Sequence, residues 1–150
     1  MNNLAIYTKI KIFTFLFVTL SILIISASAT IFTENGDEID ADGLHRLIAD
    51  DAPEYSTDSI VFFYDPECGS CIPAHEYLES YIEENPDTLV IIHNIDNSQE
   101  DWDLFNEFKN TFNREKVFVP VIYIGPVALE GHEDIEAYFN DVYAWYAPKI

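Results

Sequence analysis

Ser59-Ile60-Val61-Phe62-Phe63-Tyr64-Asp65-Pro66-Glu67-Cys68-Gly69-Ser70-Cys71 joins a run of β-branched and aromatic residues to the two cysteines of the 150-residue chain. Six apolar-run residues without alternation read as a strand covered on both faces, and Asp65-Pro66 turns the chain out of it. From Ser70 onward apolar residues recur at Ile72, Leu78, Tyr81 and Ile82, the spacing of an amphipathic helix that Asn85-Pro86 stops. Strand, C-x-x-C, helix is the setting of a redox dithiol.

Outward from that stretch the chain alternates. Leu44, Leu47 and Ile48 predict a short helix before it, ended by Asp51-Ala52-Pro53. After it, Thr88 to His93 reads as a second buried strand and Asp96 to Asn110 as a long helix, with Trp102, Phe105 and Phe108 packed on the core. Phe118-Val119-Pro120-Val121-Ile122-Tyr123-Ile124 reads as a third strand whose proline suits its start. Gly125-Pro126 leads into a short Val127-Ala128-Leu129 segment. Beyond Gly131, Ile135, Tyr138, Phe139, Val142 and Trp145 or Tyr146 trace a last helix. The fold class is α/β, with a central sheet flanked by helices.

Residues 1–33 read as a signal peptide or membrane anchor. Lys9 and Lys11 precede an uncharged run, Ile12 to Phe32, of 21 residues, and Ala27-Ser28-Ala29 offers the small residues that a signal peptidase accepts. The domain is therefore expected outside the cytoplasm, secreted or anchored to the membrane. Residues 34–42 read as an acidic linker, and residues 43–150 as one domain. After the leader, five basic residues face 27 acidic ones, a formal charge of −22. So negative a surface repels nucleic acid and anionic lipid.

Each part of the dithiol has a chemical use. Cys68, at the helix start, is placed for thiolate formation and attack, and Cys71, one turn on, for resolution of a mixed disulfide. Gly69 and Ser70 leave the Cys68 sulfur open. Asp65 and Glu67 bring negative charge, which is expected to raise the Cys68 pKa. A permanent structural disulfide is a poor alternative, because so small a loop removes little entropy from the unfolded chain. A zinc or copper site would draw on Cys68, Cys71, His75 and His93. No glycine-rich phosphate loop or serine-histidine-acid constellation is apparent, so no cofactor is expected.

The stretch around Cys68-Gly69-Ser70-Cys71 resembles the active-site region of the thioredoxin-like superfamily. Val119-Pro120 matches the cis-proline that the family carries at a later strand start, and Gly131 matches a glycine after its last hairpin. The resemblance implies a mixed sheet and a thiol-disulfide oxidoreductase acting through Cys68 and Cys71. It also implies that Pro120 shapes a substrate groove to which Gly69, Ser70 and Val119 belong, with the Val119 backbone free to pair with an extended partner. Disulfide-containing or dithiol proteins are the implied substrates, with a membrane redox protein as electron partner. The buried acid that deprotonates the family's second cysteine matches Phe62 here, leaving Asp65, Glu67 or water to take that proton. A non-catalytic binding module, in which Val119-Pro120 and the exposed acids form a docking face and the cysteines stay fixed as a structural disulfide, is the reading from another class.

Overall fold

The structure, a computed structural model, describes residues 30–56 and 60–147. Six strands and four helices follow in the order β1 (Thr30–Thr33), β2 (Glu38–Ile39), α1 (Ala41–Ile48), β3 (Ile60–Tyr64), α2 (Cys71–Glu84), β4 (Ile91–Asn94), α3 (Gln99–Thr111), β5 (Val121–Ile124), β6 (Val127–Glu130) and α4 (His132–Tyr146). They make one open mixed sheet in the order β2-β1-β6-β5-β3-β4. β3 runs parallel to β4 and antiparallel to β5, so it has a neighbour on each side.

The side-chain alternation of β3 divides the interior in two. Ile60 and Phe62 enter a core with Leu44 of α1, Ala74 and Leu78 of α2, and Ile135, Phe139, Val142 and Tyr146 of α4. Val61 and Phe63 enter a second core with Phe105 of α3, Phe112, Tyr123 and Phe32. Three helices thus cover one face and α3 the other. This is why the run Ile60 to Phe63 needs no polar residue, and it is fully buried apart from a trace at Val61.

Helix starts and stops follow local chemistry. Asp40 caps α1 through Gly43 N–H, and Ser98 caps α3 through Asp101 N–H. Pro73 lies in the first turn of α2, where its missing N–H removes no helical bond. Gly125 turns β5 into β6 at φ +55° with the Tyr146 ring against it, so that a Cβ there would collide with the ring.

Four expectations are corrected. The membrane anchor has no counterpart among the described residues, where no helix is long and apolar enough to cross a membrane. Its last four residues, Thr30–Thr33, instead pair with β6 and β2, while residues 1–29 lie outside the described residues. The linker 34–42 is not a spacer, since it holds a turn, β2 and the cap of α1. β4 is an edge strand rather than a buried one, with Leu89 and Ile91 exposed. Trp102 is 43% exposed rather than core, because residues spaced by three drift 60° per step around a helix and only Phe105 faces the sheet squarely.

Candidate thiol site

The site forms where β3 ends. Asp65 leaves the strand, its carbonyl accepts from Cys68 N–H at 3.1 Å, and its carboxylate accepts from Glu67 N–H at 2.7 Å. The carboxylate thus closes the turn that Pro66 begins. Cys68 carbonyl in turn accepts from Cys71 N–H at 3.0 Å, and Cys71 opens α2. Cys68 therefore lies three residues ahead of Cys71, just before the first turn of the helix. Cys71 is buried and Cys68 half-buried, and both are free thiols.

The two sulfurs differ in environment. Burial pushes the Cys68 thiol up, but hydrogen bonds from the Cys71 thiol, the Ser70 hydroxyl, and Cys71 and Ser70 N–H together hold it below its ordinary value. Ser70 Oγ lies 3.2 Å from its sulfur. Cys71 is pushed up to about 12, chiefly by burial, with the Cys68 sulfur and the Asp65 charge adding and the Asp65 backbone opposing. One thiol thus ionises more readily than an ordinary cysteine and the other less readily. The expected rise at Cys68 from Asp65 and Glu67 does not occur, because neither carboxylate acts on that sulfur; the Asp65 charge acts on Cys71 instead.

The loop before β5 completes the site from the far side. Val119-Pro120 is a cis peptide bond. The Val119 carbonyl accepts from the Cys68 S–H at 3.7 Å, which brings residues 51 apart in sequence into contact. Pro120 is buried, Val119 partly so, and Phe118 is 67% exposed. A Cβ added at Gly69 would meet nothing within 4 Å, so the Cys68 side of the turn is open. Of the sequence-expected residues, Cys68, Cys71, Ser70, Val119 and Asp65 come together. Glu67 is exposed and touches neither sulfur.

The alternative metal set does not converge. His75 packs on Tyr64 with ring centroids 4.5 Å apart and on Phe62, while His93 stacks on Phe63. Since Phe62 and Phe63 face opposite sides of β3, the two histidines are separated by the sheet. Among the described residues no three His, Cys, Asp or Glu side chains group around a common point.

Sequence reading missed two acids. Asp101 accepts from Ser98 Oγ at 2.6 Å and pairs with His93 Nδ1 at 2.7 Å. Both partners bind the carboxylate and no hydroxyl meets the imidazole, so this trio fastens the start of α3 to β4 instead of activating a nucleophile. The N-cap spacing of Ser98 and Asp101 was the available signal. Glu130 is 9% exposed, and its Oε2 accepts from Phe118 N–H at 3.0 Å. Its signal was a lone acid closing an apolar strand just before Gly131.

Compared with protein-family models, curated proteins and solved structures, the chain finds no match.

Proposed function

We propose that this chain is a thioredoxin-like thiol-disulfide oxidoreductase that exchanges disulfides of extracytoplasmic proteins through Cys68 and Cys71. The observation that carries the reading is the asymmetry of the pair: a half-buried thiol held below its ordinary pKa beside a buried one pushed up to about 12. The Cys68 thiolate attacks one sulfur of a substrate disulfide, forming a mixed disulfide and releasing the other sulfur as thiolate. Cys71 then loses its proton and attacks the Cys68 sulfur. The Cys68–Cys71 disulfide forms, and the second substrate sulfur leaves as thiolate. The substrate gains two electrons and, with two protons, becomes a dithiol. Every step runs backward when the protein starts oxidised and the substrate reduced.

Asp65 is the group proposed to receive the Cys71 proton, since it is the one carboxylate whose charge reaches that sulfur. The Val119 backbone and the exposed side chains of Phe118 and Ile72 support docking of an extended partner beside Cys68. Localisation outside the cytoplasm is supported by Ala27-Ser28-Ala29, which ends where β1 begins at Thr30. A reducing role there calls for a dithiol donor, and a membrane redox protein fits that need.

The test is a trap. Cys71→Ser should accumulate a mixed disulfide through Cys68 with a model disulfide substrate, while Cys68→Ser should form none and lose turnover. A reduction potential near about −270 mV would assign a reductant and one near about −120 mV an oxidant. No exchange by the wild-type pair at any accessible potential would sink the reading.

A further inference from the structure

Glu130 is an acid where packing asks for a leucine. It ends Val127-Ala128-Leu129-Glu130, a strand buried at all four positions, and its side chain lies on the face of Tyr123 and Ala128 in the second core. Burial pushes its pKa up, against the Phe118 N–H and the Arg114 guanidinium, with Glu38 adding to the rise. A carboxylate held in such a place is costly unless its hydrogen bonds compensate. The bond it makes goes to the loop of the thiol site: Oε2 accepts from Phe118 N–H at 3.0 Å.

The next residue repeats the contact two positions on. Gly131 N–H donates to the Pro120 carbonyl at 2.8 Å. Glu130 and Gly131 therefore grip Phe118 and Pro120, the residues on either side of Val119. The Val119 carbonyl between them is the acceptor facing the Cys68 thiol at 3.7 Å. The bond from Gly131 is a backbone one that asks nothing of a side chain, whereas the one at Phe118 needs a side chain of this length ending in an acceptor.

We propose that Glu130 is a positioning residue of the thiol site: by fixing Phe118 N–H, its carboxylate sets the Val119 carbonyl against Cys68. The positioning itself is a matter of geometry; only its consequence for exchange rests on Cys68 being the exchanging thiol. Because the S–H bond to Val119 stabilises the protonated sulfur, releasing the loop lowers the Cys68 pKa and, at the same time, loosens the edge on which a partner docks.

The experiment uses the full chain as Glu130→Leu and Glu130→Gln. The pH profile of iodoacetamide alkylation reads the Cys68 pKa, and exchange with a model disulfide peptide reads KM and kcat. In Glu130→Leu the Cys68 pKa should fall by about 0.5, the worth of one weak S–H···O bond. Its KM should rise several-fold with kcat little changed. Glu130→Gln keeps an acceptor and should restore both values. Should Glu130→Leu fail to fold, Glu130→Asp, which withdraws the carboxylate by one methylene, should give the same two shifts. Equal shifts in the leucine (or aspartate) and glutamine variants would assign the effect to charge rather than position and overturn the proposal, as would an unmoved Cys68 pKa in all of them. Alkylation needs no disulfide substrate, so the expected pKa pattern without any exchange would defeat the oxidoreductase reading while leaving this one standing.

Discussion

The Ser70 hydroxyl lies 3.2 Å from the sulfur of Cys68, two residues back along the same turn. In the thiolate form the hydroxyl donates, so it favours the charged sulfur and helps to keep the Cys68 pKa low. Ser70→Ala should raise that pKa by about 0.5 to 1, moving the alkylation profile to higher pH. An unmoved profile would leave the Cys71 thiol and the two backbone N–H groups as the whole cause.

Asp65 and Glu67 are neighbours with different reach. Only Asp65 acts on Cys71. Asp65→Asn should slow release of the mixed disulfide by about 10²-fold, the low end for loss of a general base, while Glu67→Gln should leave it unchanged. Stopped-flow kinetics of resolution separates the two, and equal rates in both variants would give the proton to water.

Asp101 is held at a pKa of about 2 by hydrogen bonds from Ser98, His93 and Asn97. A depressed carboxylate contributes stability that is fully present above its ordinary value near about 3.9 and is lost as pH falls through the folded one. The gap in thermal midpoint between wild type and Asp101→Asn should therefore be widest at pH 5 and shrink between about pH 4 and pH 2. A gap independent of pH would assign the contact to packing alone.

Gly125 has no alternative. Its φ of +55° disfavours any side chain, and a Cβ would collide with the ring of Tyr146, whose hydroxyl oxygen accepts from Ser56 N–H at 3.2 Å. Gly125→Ala should cost about 3 kcal/mol through strain and overpacking together, read as a shift in urea midpoint. A loss below about 1 kcal/mol would mean that the α4 terminus gives way easily.

What the sequence made legible was whatever it wrote locally and strongly. The apolar run before Asp65, the cysteine spacing, the Val119-Pro120 strand start and the amphipathic helices each carry their signal within a few residues. The pairing partners of short strands do not. Thr30–Thr33 is four residues at the end of an apolar leader, and Glu38–Ile39 is two within an acidic stretch, so β1 depends on pairing with β6, and β2 on pairing with β1. An apolar run such as Thr88 to His93 reads alike at the centre of a sheet and at its rim. Glu130 and Asp101 escaped for the same reason, since their meaning lies in partners 12 and 8 residues away across a turn.

The contact between Cys68 and Val119 also sets an order of events. A ribosome releases Cys68 and Cys71 well before Val119, Pro120 and the two strands that frame them, because the contact spans 51 residues. Domains fold as units as the chain emerges. During synthesis the young polypeptide thus carries a dithiol that Val119 does not yet face, and the shelter of the Cys68 sulfur is a late product of folding.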